Sequence, residues 1–384
     1  LWAKQKKILK PAFKSTVVSS LVQLIHYHIQ DKNLINKNSL ISNIRNQIIQ
    51  TPQLNIYEYL KNITFIIIGN VALGETSWWL EKHGTKLREA FEIGLQPVLS
   101  KTETGIKAYN TMKEFAEHAW DISHERRKKN KDAPITIVDI ISQTDYSKLG
   151  NNIINEKHRI DELMTIMFAG HETTANTLTW CLYELSKNDE AQQRIRKEIQ
   201  ETMKNNNILH PADFIFEQIG RMKLVNSALR ESMRLWPVVA NGSFRIITQN
   251  NEIIKGPNNE NVILPVGIKF QVPHWTFHRD KLIWGNDADK FDLDRYDKNW
   301  NHDAFMPFSK APRDCLGRHF AMASMRIMLI HLLYNFNFTI NKKDNEKKGY
   351  NWATLTPENG LEVLITDNMF NNILDNSNLS ISKL

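Results

Sequence analysis

Apolar residues recur every three or four positions through most of the first 236 residues, a spacing that lines one face of an α-helix with hydrophobic side chains. VVSSLVQLIHYHI (17–29), SLISNIRNQII (39–49), IYEYLKNITFIIIGNVAL (56–73), KLREAFEIGL (86–95) and IKAYNTMKEFAEHAWDISHERRKK (106–129) all carry the pattern. IDELMTIMFAGHETTANTLTWCLYELS (160–186) sustains it for about seven turns, with Leu163, Met164, Met167, Thr174, Leu178, Cys181, Leu182 and Leu185 on one stripe. DEAQQRIRKEIQETM (189–203) and MKLVNSALRESMRLW (222–236) predict two more helices, the second stopped by Pro237.

From Pro237 to Pro273 the period shortens. FRII (244–247), NEIIK (251–255), NVILPVG (261–267) and KFQV (269–272) read as short strands separated by Gly, Pro and Asn, which together predict a small sheet. A loop-rich stretch from His278 to Asp314 leads past Cys315 into a helix, RHFAMASMRIMLIHLLYNF, and LEVLIT (361–366) is a late strand. The expected architecture is mainly α with a small β-sheet region, in a single domain spanning residues 1–366. The Asn- and Ser-rich tail, 367–384, is expected to be poorly ordered.

With 384 residues, 41% of them hydrophobic, the chain can bury a large core. Cys181 and Cys315, its two cysteines, lie far apart and outside any CxxC pair, which excludes a disulfide framework and a zinc ribbon. No apolar run approaches about 18 residues, ITFIII (63–68) being typical of the short ones, so no transmembrane helix is expected within the chain. The sequence opens at Leu1, without Met, in a stretch that reads as the middle of a helix; an amino-terminal piece with any anchor or signal is expected to precede it. The net charge of +7 is concentrated in KQKK (4–7) and ERRKKNKD (125–132), which read as solvated helix faces or a docking surface for an acidic partner. No nucleic-acid-binding motif accompanies the charge.

The chemistry centres on FMPFSKAPRDCLGRHF (305–320). A cysteine at the start of a helix meets the positive end of the macrodipole and free backbone N–H groups, which favour the thiolate. Gly317 leaves room for another group, Phe308 offers apolar cover and Arg313 adds a positive charge. One soft thiolate beside an arginine suits a single axial bond to haem iron, with the arginine on a propionate; a buried free cysteine is the alternative.

FSKAPRDCLG resembles the haem-binding loop FxxGxRxCxG of the cytochrome P-450 monooxygenases, with Phe308, Arg313, Cys315 and Gly317 in the matching places. Ala311 stands where the family usually has glycine, and a positive φ there would cost alanine about 1–2 kcal/mol. AGHETT (169–174) resembles the family's oxygen-activation motif. Ala169, Gly170 and Thr173 share a helix face that a flat cofactor could approach, and the Thr173 hydroxyl can compete for the Ala169 carbonyl and open a groove for dioxygen. Glu172 beside it would relay protons. HETTA is not HExxH, which excludes a zinc-protease site there.

Glu231 and Arg234 in LRESMRLWP resemble the family's ExxR, and FDLDRY (291–296) lies where its PERF-like segment belongs, so Arg295 is expected to join them in a buried ion network. Trp2 and Lys6 resemble WxxxR, and Arg245 occupies the place of a further propionate-binding arginine. The resemblance covers nearly the whole chain. It implies the fold of that family, eukaryotic type, with a long central helix over haem b and the cysteine loop on the proximal side. It also implies insertion of one oxygen atom of O2 into an apolar small molecule, by hydroxylation or epoxidation. Electrons would come from NADPH through a flavoprotein reductase, at the cytosolic face of the endoplasmic reticulum membrane. Phe168, Ala169, Val238, Val239 and Ala240 are the candidate pocket residues. Two other readings are a haem-thiolate isomerase or dehydratase, which needs no proton relay, and a haem-binding protein without turnover.

Overall fold

The long apolar stripe of residues 160–186 becomes the axis around which the other helices pack. The computed structural model describes residues 2–30, 38–73, 77–94, 101–129, 136–143, 156–256, 258–297, 303–341, 346–351 and 353–368. In chain order the helices are α1 (Trp2–Leu9), α2 (Ser15–Ser20), α3 (Val22–Ile29), α4 (Leu40–Gln50), α5 (Ile56–Leu73), α6 (Ser77–Gly94), α7 (Glu103–Lys129) and α8 (Ile137–Gln143). They continue with α9 (Glu156–Ser186), α10 (Asp189–Asn205), α11 (Phe216–Arg221), α12 (Lys223–Leu235), α13 (His274–Phe277), α14 (Lys281–Trp284) and α15 (Arg318–Asn335). The strands are β1 (Gln53–Asn55), β2 (Ser243–Ile246), β3 (Glu252–Lys255), β4 (Asn261–Leu264), β5 (Lys269–Val272), β6 (Phe336–Ile340), β7 (Gly349–Asn351), β8 (Leu355–Pro357) and β9 (Glu362–Asp367).

Every residue of the predicted α9 stripe is buried except Met164, which is half-buried. Helix α5 lies along α9, and its apolar residues all round (Ile63, Phe65, Ile67, Ile68, Val71) mark it as a helix covered on more than one side. The contact is close. A Cβ built on Gly170 would stand 2.6 Å from Ile68 Cγ1, so α5 itself demands glycine there. Helix α15 closes the core from the other side, its interior from Ala323 to Leu333 almost wholly buried.

The expected small sheet is two separate antiparallel ribbons, β2 with β5 and β3 with β4, in registers that set Arg245 opposite Phe270 and Ile254 opposite Val262. The predicted late strand, β9, runs between β1 and β6. It continues to Asp367, whose Oδ2 accepts from Arg45 Nε at 2.6 Å, and Asn368 is buried as well; both belong to the fold and not to the tail. Residues 369–384 of the expected tail lie outside the described residues. VVSSLVQLIHYHI divides into α2 and α3 at Leu21, and four short helices (α8, α11, α13, α14) stand where no helix was expected. None of the helices among the described residues is long and apolar enough to cross a membrane.

Several histidines are built into this core. Burial lowers His26 and His171 to about 4 and His278 to about 3. Their folded values lie below the unfolded value of 6.5, so the unfolded chain binds more protons, and the stability is full above pH 6.5 and lost as pH falls from there toward 4. Acidification from pH 7 to 5.5 should cost about 1 kcal/mol for each such imidazole. The urea midpoint should fall across that interval, and by less in His171→Gln.

Candidate active site

A cavity of about 620 Å³ lies between α9 and the segment from Pro307 to Gly317, with α1 and the residues after α12 completing its wall. Lys6, Ala169, Gly170, Thr173, Val238, Val239, Phe308, Arg313, Cys315 and Gly317 all line it. Phe168 does not; it packs beside His171, with ring centroids 6.2 Å apart. Ala240 is buried behind the wall, where its carbonyl accepts from Trp275 N. Arg245 shares a strand face with the lining residue Ser243, but its Nη1 donates to the Phe244 carbonyl at 2.9 Å, away from the cavity wall. Trp2 lies on α1, and its side chain is outside the described residues.

The α9 wall has the expected local form. Thr173 Oγ1 donates to the Ala169 carbonyl at 2.7 Å, and Thr177 repeats the bond to the Thr173 carbonyl at 2.8 Å, so two successive hydroxyls draw backbone oxygens to the cavity side. Glu172 departs from the expectation. Successive helical residues are turned by about 100°, so with Thr173 on the cavity its neighbour points around the helix. Glu172 Oε1 accepts from the Thr354 hydroxyl just before β8. Burial raises its carboxyl above the usual range, against the Thr354 hydrogen bond.

The cysteine loop is held from both ends. Cys315 N donates to the Phe308 carbonyl at 2.9 Å. Lys6 Nζ reaches Pro312 O at 2.8 Å, Asp314 O at 3.1 Å and Asp314 Oδ1 at 2.6 Å, which fastens α1 to the loop and keeps the Asp314 carboxyl low. Lys6 thus braces the loop as well as facing the cavity. Ala311 carries no left-handed backbone; the positive φ, 58°, falls on Ser309, whose hydroxyl lies 3.2 Å from that of Ser243, so the expected strain at Ala311 is absent.

Cys315 stands two residues ahead of Gly317, the N-cap of α15, and is accessible from the cavity. Its surroundings still bury it enough to push the thiol up, helped by Asp314 and opposed by the Gly317 N–H, Lys6 and Arg318. This corrects the expectation that the helix start favours thiolate: desolvation outweighs the macrodipole. A cation bound at the sulfur reverses that balance.

Behind the loop, Glu231 and Arg234 form a two-pronged pair on α12, with Nε to Oε2 at 2.8 Å and Nη2 to Oε1 at 2.7 Å; both side chains are fully buried. Arg295 Nε binds the same Oε1 at 2.7 Å. The remaining guanidinium hydrogens go mostly to backbone: Arg234 to the carbonyls of His278, Ala288 and Lys290, Arg295 to those of Trp284, Asp287 and Lys290 and also to the Asp287 carboxylate at 3.3 Å. His278 passes the constraint on, since its Nε2 accepts from Met306 N at 3.1 Å, directly ahead of the cavity-lining Pro307 and Phe308. The sequence pointed to the three charges. It carried no signal for the His278–Met306 link or for Thr354, which are set by contacts between distant segments.

These residues fit a haem. Among the described residues no group of three His, Cys, Asp or Glu could hold a metal ion, whereas one soft sulfur on a largely apolar cavity suits an iron whose other ligands come from a porphyrin. Gly317 has φ −84°, and a Cβ there would meet only Phe13 at 3.9 Å, so the chain's own packing does not require glycine. Arg313 supplies positive charge at the same wall for a propionate, whereas Lys6 gives its bonds to Pro312 and Asp314.

The sequence profile of the cytochrome P450 family matches residues 1–365, and this chain belongs to that family of haem-thiolate oxidoreductases. Cytochrome P450 714C3 of Oryza sativa subsp. japonica is 25% identical over 95% of this chain and 70% of its own length. The 11-oxo-beta-amyrin 30-oxidase of Glycyrrhiza uralensis is 26% identical, over 88% of this chain and 66% of its own. Cytochrome P450 3A40 of Oryzias latipes is 24% identical, over 89% and 69%.

Proposed function

We propose that this chain is a monooxygenase that inserts one atom of dioxygen into an apolar small molecule, as hydroxylation or epoxidation. For hydroxylation the balance is RH + O2 + 2 e⁻ + 2 H⁺ → ROH + H2O. The observation that carries the reading is that Cys315 and Thr173 open onto one cavity with a largely apolar lining. Bound haem b supplies the iron at which dioxygen is reduced and split.

The chain's own residues do the rest. Cys315 would ligate the iron and Arg313 would face a propionate, while Lys6 braces the cysteine loop and Arg245 stands on the strand face of the lining residue Ser243. Thr173 presents its hydroxyl at the cavity wall, and Glu172, one residue away on the Thr354 side of α9, relays protons toward it. Val238, Val239 and Phe308 give the substrate apolar surface and exclude water. A relative that bears an oxidase name supports oxidation as the reaction type. Family resemblance supports NADPH and a flavoprotein reductase as the electron source, a seat on the cytosolic face of the endoplasmic reticulum membrane, and a single catalytic domain.

Thr173→Ala tests the reading. Product should fall on the order of a hundredfold while NADPH is still consumed and hydrogen peroxide accumulates. Unchanged product per NADPH would remove Thr173 from proton delivery and weaken the monooxygenase assignment.

A further inference from the structure

We propose that Thr354 and Asn176 are positioning residues that hold the Glu172 carboxyl in both of its protonation states, so that it gives and regains a proton from one fixed place beside Thr173. The inference rests on the reading of Glu172 as a proton source.

Glu172 and Asn176 lie one turn apart on α9, and Thr354, 5% exposed, meets both. Asn176 Nδ2 donates to Thr354 Oγ1 at 3.1 Å and to Thr356 Oγ1 at 3.2 Å, and the Thr354 hydroxyl donates to Glu172 Oε1. An amide nitrogen only donates, so the one hydroxyl proton of Thr354 is left for the carboxylate. Along Asn176, Thr354 and Glu172 each bond runs toward the carboxylate, as an ionised carboxyl requires. The arrangement leaves one atom over: Asn176 Oδ1 is buried and has no partner.

A second acceptor serves the opposite protonation state, since Thr356 Oγ1 lies 3.4 Å from Thr354 Oγ1. When Glu172 carries a proton, its O–H donates to Thr354 Oγ1 and the Thr354 hydroxyl turns to Thr356 Oγ1, while Asn176 Nδ2 keeps both of its bonds. The carboxyl and the Thr354 hydroxyl thus reverse direction together while the carboxyl stays in place. The anchor is rigid, because Trp180 Nε1 donates to Leu355 O at 2.9 Å and Leu355 N donates to Val238 O at 2.8 Å, tying this segment to α9 and to the cavity wall. Other charged or titratable groups also act on Glu172: Lys61 and Tyr57 from α5, with Glu92 from α6, which binds Lys61 and Arg88. Burial raises the Glu172 carboxyl and Thr354 opposes the shift, so the hydroxyl stabilises the ionised form.

The test is infrared difference spectroscopy of the holoprotein through a pH titration, with the Glu172 carbonyl band assigned by Glu172→Gln. Thr354→Val, which keeps the shape and removes the hydroxyl, should shift that band to higher frequency and move its midpoint to higher pH; Thr354→Ser should restore both. Asn176→Leu, read in the same way, should also move the midpoint up, and it serves if Thr354→Val folds poorly. Melting temperature, followed in parallel, should be the same in the Val and Ser variants. With reductase and NADPH, the share of electrons released as hydrogen peroxide should rise about tenfold in Thr354→Val and in Asn176→Leu. A band and midpoint unchanged in both variants would overturn the proposal. Should Glu172→Gln leave the peroxide share unaltered, the proton-source reading fails instead, and the band shift then decides only whether Thr354 and Asn176 hold the carboxyl.

Discussion

Cys315→Ala should abolish the strongly red-shifted Soret band that the reduced holoprotein gives with carbon monoxide, and substrate oxidation should fall to background. The expected loss is complete because the sulfur has no substitute. Cys181, the other cysteine, is wholly buried on α9, where burial pushes its thiol far up, so it can neither reach the cavity nor ionise. Cys181→Ala is therefore the matched control and should keep the band, at the modest stability cost of a small core truncation. A parent protein that binds haem without the shifted band, or an Ala variant that retains it, would remove Cys315 from the iron and the proposed chemistry with it.

Glu231→Ala should be the most destabilising single change in the fold. It removes the one carboxylate that two buried arginines share, and leaves Arg234, fully buried, and Arg295, nearly so, as neighbouring like charges. Breaking a buried pair in this way costs about 3–5 kcal/mol. Against a total stability of about 5–15 kcal/mol, much of the protein would be unfolded or lost to aggregation. The damage has a defined route to the site. Arg234 grips the His278 carbonyl, and the His278 ring holds Met306 at the entrance to the cysteine loop. Haem retention should therefore fall along with the urea midpoint. Glu231→Gln keeps an acceptor for one arginine and should be milder on both measures. A Glu231→Ala variant with parental stability would show that the network holds nothing in place.

Much of this was legible in the residues. The period of three and four located the long helices because burial of one stripe is a local demand, repeated along each segment. Where the sequence erred, the deciding contacts were elsewhere in the chain. Strands β1, β7 and β8, of three residues each, are too short to carry a pattern, and β1 and β6 exist because β9 pairs with them. Gly170 lines the cavity as its face suggested, but no local signal showed that Ile68 of α5 also requires glycine there. The residue expected to be strained, Ala311, is not left-handed; Ser309 is.

By itself the sequence determined the order of the helices, the residues of the cysteine loop and the charges of the buried network, since each is fixed by residue type and spacing within a short segment. Only the tertiary structure decided which of those residues share the cavity, that Lys6 spends its charge on Asp314, and that burial overrides the helix start at Cys315. It also turned Glu172 away to Thr354. Hydrogen-bond partners and desolvation are properties of what packs against a side chain, and for Glu172 and Lys6 the partners lie 182 and 308 positions away along the chain, beyond the reach of any local pattern.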